Sequence, residues 1–306
     1  MKILTQLLGQ SKLGLVSLLL LLPIKSAIAD DFTLETARAG AEKGDAQAEY
    51  FLAKCYAGGK GVPRDYARAA EYLREAANQG YASAQEVLGS YCMMGRGVKQ
   101  DDAEGVKWYR RAAGQENPLA EYCLGLCYFQ GRGVSMDIAQ AVAWYREAAA
   151  QGQTDAIAAL ADIYLEGAPG VNLDYRQAFK WCQMGAALEN GDCLNGLGFL
   201  YEEGAGGASQ SPDLAVKYYR GAAKKGYVRA FTNLGRMYAS RHGVKADPVE
   251  AYAWFILGSR GDPMAAHLLQ EFTLHKALSP ADQARAQRKA REFLAQRDTE
   301  PEPVKN

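Results

Sequence analysis

The chain has 306 residues, 48% hydrophobic and 23% charged, with 35 basic residues balanced by 35 acidic ones. That balance argues against the basic footprint of a nucleic-acid binder, and no long tract of one sign marks a charged tail.

Residues 1–29 contain Lys2, Lys12 and Lys25 and no acid. Gly14 to Leu22 is a short leucine-rich run, Pro23 ends it, and Ala27-Ile28-Ala29 offers small residues for cleavage before Asp30. A membrane-spanning helix needs about 20 apolar residues, so this shorter run predicts a secretory signal over 1–29. No later apolar stretch is long enough to span a bilayer. The expected location is periplasmic or secreted.

Phe32 to Lys43 reads as a short helix with Leu34, Ala37 and Ala41 on one face, suited to an N-terminal cap. Beyond it a unit recurs. Leu followed by a small residue stands at Leu52, Leu88, Leu124, Leu160, Leu197 and Leu234, in steps of 36, 36, 36, 37 and 37 residues. Four residues earlier comes Ala48, Ala84, Ala120, Ala156, Cys193 or Ala230, and four later Tyr56, Cys92, Tyr128, Tyr164, Tyr201 or Tyr238. Spacing by four puts all three on one helical face, helix A. A second register begins at Tyr72, Trp108, Trp144, Trp181, Tyr218 and Trp254, each followed by a large residue or Cys and, four on, by Ala or Gly. This is helix B. Turns such as Gly95-Arg96-Gly97-Val98 and Gly131-Arg132-Gly133-Val134 join A to B, because glycine permits the positive φ of a tight helix exit. Asp65, Asp101, Asp137, Asp174, Asp213 and Asp247 are placed to cap helix B. Gly44, Gly80, Gly152, Gly191, Gly226 and Gly261 mark the return turns, with Asn117-Pro118 replacing glycine in repeat two. Repeats four and five carry an extra residue near Pro169 and within Ala205–Pro212, and Arg241-His242-Gly243 interrupts the glycine turn of repeat six.

The pattern Ala-x-x-x-Leu-Gly-x-x-Tyr, then Gly-x-Gly-Val, Asp and Ala-x-x-Trp-Tyr-x-x-Ala-Ala-x-x-Gly resembles the Sel-one-like repeat, a branch of the tetratricopeptide superfamily, from about Asp45 to Ala266. The resemblance implies an all-α fold: a right-handed α-α superhelical solenoid of about six helix-turn-helix repeats with capping helices at both ends. The expected organisation is a signal over 1–29, an N-terminal cap over 30–44, repeats at about 45–80, 81–116, 117–152, 153–189, 190–226 and 227–266, C-terminal capping helices over 267–296, and a disordered tail over 297–306. Ser279 and Pro280 open the last helix, with Ala284, Ala290, Phe293 and Leu294 on its apolar side.

Residues with catalytic potential are sparse. His242, His267 and His275 are the only histidines, and no His-Glu-x-x-His, Gly-x-Ser-x-Gly or Ser-x-x-Lys occurs. The last motif matters because some cysteine-rich secreted relatives are linked to penicillin binding. Those relatives also tie helix B to the next helix A by a disulfide at a fixed short spacing, which does not recur here. Cys55, Cys92, Cys123, Cys127, Cys182 and Cys193 read as mostly free buried thiols; a bridge from Cys92 to Cys123 or Cys127 is the alternative. Arg260-Gly261-Asp262 falls in an expected turn.

In tetratricopeptide-like solenoids helix A lines the concave face. Carried over, the lining positions lie two residues before the repeat leucine and two and five after it. The central ones are apolar, and Met93, Tyr122, Leu126, Phe129, Asp162, Leu165, Asn195 and Phe199 form the expected partner-binding set. The alternative is that tight curvature buries them against neighbouring A helices. The expected function is a non-enzymatic scaffold for a protein or peptide partner, without metal or cofactor; a hydrolase of the penicillin-recognising type and an envelope glycan-binding protein are the alternatives.

Overall fold

The computed structural model describes residues 33–239, 244–275 and 278–299. The expected signal over 1–29, the Arg241-His242-Gly243 turn and residues 300–306 of the expected tail lie outside these residues, whereas residues 297–299 of that tail are helical.

A short helix α1 (Leu34–Ala41) precedes six antiparallel pairs: α2 (Ala46–Gly58) with α3 (Tyr66–Asn78), α4 (Ala82–Met94) with α5 (Asp102–Ala113), α6 (Pro118–Gln130) with α7 (Ile138–Ala150), α8 (Thr154–Glu166) with α9 (Tyr175–Ala187), α10 (Gly191–Glu203) with α11 (Pro212–Lys224), and α12 (Val228–Ala239) with α13 (Pro248–Gly258). Beyond them lie two further helices, α14 (Pro263–His275) and α15 (Pro280–Thr299). Each A helix packs on its own B helix, and each B helix on the next A helix. The result is an all-α solenoid with no strand among the described residues.

The repeat leucines are completely or almost completely buried, and so are the small residues four positions before them. Beside each leucine, glycine makes room for a ring from helix B. A Cβ on Gly89, Gly125, Gly198 or Gly235 would lie 2.8, 2.7, 2.4 or 2.4 Å from Tyr109, Tyr145, Tyr219 or Phe255. The two repeats with a smaller residue in the ring's register, Leu73 and Cys182, carry Ala53 and Ala161 instead of glycine. The pairs are thus matched in volume, as close packing requires.

Capping matches the sequence at Asp65, Asp101, Asp137, Asp174 and Asp247, whose carboxylates accept first-turn amide hydrogens. Repeat five differs: Ser211 is the cap, Pro212 opens α11, and Asp213 lies in the first turn. The extra residue of repeat four is absorbed by a small antiparallel bridge between Ala168 and Val171. The return turns also differ from expectation. Left-handed backbone occurs at Gly44, Gly80, Glu116, Gly152, Glu189 and Gly226. Two glutamates therefore occupy a glycine position, while Asn117 caps α6 and Gly191 is the first residue of α10.

At the C-terminal end α14 starts at Pro263, before the expected boundary, and seats the fully buried Ala265 against Gly258. Helix α15 folds back onto α13, where the Phe293 ring lies 4.9 Å from Trp254 and 6.0 Å from Phe231. Ala286 and Ala290 are its buried alanines; Ala284 is exposed. No described helix is long and apolar enough to cross a membrane.

Candidate partner-binding face

Curvature identifies the inner side. Arg229 Nη1 at the start of α12 lies 3.0 Å from Glu166 Oε1 at the end of α8. This ion pair skips repeat five, so the A helices of repeats four and six converge. Asn233 Nδ2 of α12 also donates to Asn195 Oδ1 of α10 at 2.9 Å.

Tyr122, Phe129, Leu165 and Phe199 are partly buried and pack against one core cluster built from α7, α8, α9 and α10. Leu126 is also partly buried. Tyr122 lies 5.8 Å from the Tyr145 ring, and Phe199 meets Tyr175 edge to face at 5.9 Å. Leu165 lies against Gly196. These side chains combine both sequence-level alternatives: part of each supports a neighbouring helix and part remains accessible. Met93 departs from the expected set. It is buried, and its thioether packs where Gly105 of α5 leaves space, so it belongs to the interface between α4 and α5.

Asp162 keeps an accessible side chain, yet surrounding protein, then Asp192 and Glu166, push its pKa up to about 6. Exposure combined with desolvation fits a side chain on the wall of a concave surface. Burial, then Asp155, Cys123 and Asp192, raises Tyr122; burial, then Asp192 and Asp162, raises Tyr227. The aromatic centre therefore borders carboxylates from α8 and α10.

Further toward the N-terminus, Glu86 of α4 is 8% exposed and burial pushes its pKa up to about 7. It accepts a long hydrogen bond from Ser90 (3.5 Å), and Ser90 shares a 2.9 Å hydrogen bond with Tyr109 of α5. Cys123 of α6 contacts the same tyrosine hydroxyl, and burial pushes its thiol up to about 12. Such a thiol is protonated near neutral pH, the reverse of an activated nucleophile. Glu86 was legible as a carboxylate in a register slot that elsewhere holds Tyr50, Tyr122, Ala158, Asn195 and Thr232.

All six cysteines are free. Cys92 lies in the core around α3 and Cys127 in the core around α5, and the alternative bridge from Cys92 to Cys123 or Cys127 is not formed. Cys182 and Cys193, which the repeat register did not pair, are fully buried and hydrogen-bonded to each other. The carboxylate of Asp262, in Arg260-Gly261-Asp262, accepts from Thr232 and from the Met264 amide, giving it a structural use.

The Sel1 repeat family matches six times, over residues 46–81, 82–117, 118–153, 154–190, 191–227 and 230–262. A Sel1 repeat protein from Oxalobacter formigenes is 31% identical with a TM-score of 0.64, covering 75% of this chain and 100% of its own. A protective antigen of uropathogenic Escherichia coli with an SLR fold is 24% identical over 89% of this chain and 76% of its own, TM-score 0.38. A Sel1 repeat protein from Klebsiella pneumoniae is 20% identical over 67% and 99%, TM-score 0.44. Comparison with curated proteins gives no match. With six tandem matches across its helix pairs, the chain belongs to the Sel1 repeat family.

Proposed function

We propose that this protein is an exported, non-catalytic scaffold that seats a segment of another protein on the inner face of its A helices. Sel1 repeat solenoids are generally protein-interaction scaffolds. The observation that carries the specific site is the set of half-buried side chains Tyr122, Phe129, Leu165 and Phe199 beside the accessible, desolvated Asp162. Aromatic anchors with a polar border are the usual anatomy of a protein interface. Export is supported by the leucine-rich segment and Ala27-Ile28-Ala29.

The test is affinity capture from cell envelope and culture fluid, using the chain from Asp30 and a Tyr122→Ala/Phe129→Ala variant whose helicity and melting are checked first. The expected result is a protein retained by the wild type and lost by the folded variant. Identical retention by both baits, or no retention, overturns the site. Cell fractionation checks export separately.

A further inference from the structure

We infer that the inner face selects a partner segment in which basic side chains stand beside apolar ones, with Glu86 receiving an ammonium or guanidinium group. The inference deepens the scaffold reading and rests on it. Its first support is a difference between Glu86 and its neighbours. Glu49 and Glu121, buried one register position away in repeats one and three, accept hydrogen bonds from Gln79 and Gln151 at 2.7 and 2.8 Å. In repeat two Gln115 donates instead to Gln85, at 2.8 Å. The amide that satisfies this layer is thus already used, and Glu86 stands outside it, accepting among the described residues one long bond from Ser90.

The groups around Glu86 are neutral. Tyr50 interacts with it from α2, Ser90 from its own helix, Tyr109 from α5 and Cys123 from α6. Burial raises the pKa of both Tyr109 and Cys123, so neither is charged near pH 7. Among the described residues no cation forms an ion pair with Glu86. A recessed carboxylate with neutral walls gains most from a cation that a partner brings.

The second support is the charge of the neighbouring surface. Asp155, Asp162 and Asp192 lie close enough to Tyr122 and Tyr227 to raise their pKa values or one another's. Arg229, the cation beside them, is paired with Glu166. At the Glu86 end, Lys54 of α2 stands over the Tyr50 ring, 5.7 Å from its centre, and among the described residues it forms no ion pair with Glu86. Apolar side chains bordered by these acids complement a segment with Lys or Arg flanking Leu-like residues.

The test uses three labelled peptides of equal length that alternate Lys with Leu, Ser with Leu and Glu with Leu, titrated against the full chain by fluorescence anisotropy. The Lys/Leu probe is expected to bind about tenfold tighter than Ser/Leu, close to the lower limit measured for close charge pairs. Glu86→Gln removes most of that difference. Glu71→Gln, which deletes an exposed charge on α3, leaves it in place and controls for bulk attraction. Binding of Lys/Leu tightens from pH 6 to pH 8 in the wild type and changes less in Glu86→Gln. Equal binding of all three probes, an equal effect of the two substitutions, or no binding of Lys/Leu overturns the inference. Retention of a captured partner lost with Tyr122→Ala/Phe129→Ala would leave the scaffold reading intact in each of those cases.

Discussion

At the scale of single residues, the repeat is a fit between a glycine and a ring. Gly125 has no room for a methyl group beside Tyr145. Gly125→Ala should destabilise the protein by about 1–3 kcal/mol, the usual cost of overpacking a filled core. Adding Tyr145→Leu should recover part of the loss, because repeat one pairs Ala53 with Leu73. A double-mutant cycle by denaturant unfolding checks this; additive losses would show that the two positions are not coupled. Glu86 provides a pH test. Its folded pKa of about 7 lies above the ordinary 4.5, so the folded state favours the protonated acid. The penalty is absent below about pH 4.5, grows as pH rises and is complete above pH 7. Glu86→Gln should match the wild type in stability near pH 4 and exceed it at pH 8 by up to about 3 kcal/mol, the value of such a shift. Melting curves at the two pH values measure it, and an equal difference at both would refute the linkage. These residues were unequally legible. The Leu, Ala and ring positions come from spacing alone. The inward course of Met93 depends on Gly105 in another helix, and the Cys182–Cys193 contact on how α9 meets α10.

At the scale of elements, turns carry the information that helix periodicity lacks. The return turn needs one left-handed residue, and register places Glu116 and Glu189 in a slot where four repeats use glycine. Glycine and Asn-Pro alone mark that slot at Asn117 and Gly191; the 36- or 37-residue step from Gly80 and Gly152 falls on Glu116 and Glu189. A non-glycine residue in this conformation costs about 1–2 kcal/mol. Glu116→Gly should therefore stabilise the protein by up to about 1 kcal/mol after the added chain entropy. Glu189→Gly should gain less, since Glu189 accepts a hydrogen bond from Lys225 at 2.6 Å. The turns between A and B test a different contribution. Gly61 and Gly97 have similar φ values, +73° and +69°, but different surroundings. A Cβ on Gly61 would touch only Leu34 at 3.5 Å, whereas one on Gly97 would fall 2.0 Å from the Tyr66 carbonyl oxygen of the preceding repeat. Gly97→Ala should cost several kcal/mol more than Gly61→Ala, because backbone must move in one case and only local strain is added in the other. Equal losses in thermal unfolding would show that φ alone sets the requirement.

At the scale of the whole molecule, each repeat contacts its neighbours in sequence, apart from inner-face contacts such as Arg229 with Glu166. The number of repeats, their order and the need for caps were legible because every unit repeats the same burial problem. The convergence of α8 and α12 was not, since it sums small rotations between successive pairs that no single repeat encodes. The cap offers the sharpest test of this one-dimensional organisation. Helix α15 covers Trp254 and Phe231 through Phe293 and buries Ala286 and Ala290 on α13. Ending the chain before Ser279 removes that cover. In an array stabilised mainly between neighbours, α12 and α13 should then lose amide protection first and α10 and α11 next, while α2 to α7 keep theirs. Hydrogen exchange monitored by mass spectrometry resolves these segments. A uniform loss of protection from α2 to α13 would instead mean that the solenoid unfolds as one cooperative unit, with the inner-face contacts binding distant repeats as firmly as the helix pairs bind adjacent ones.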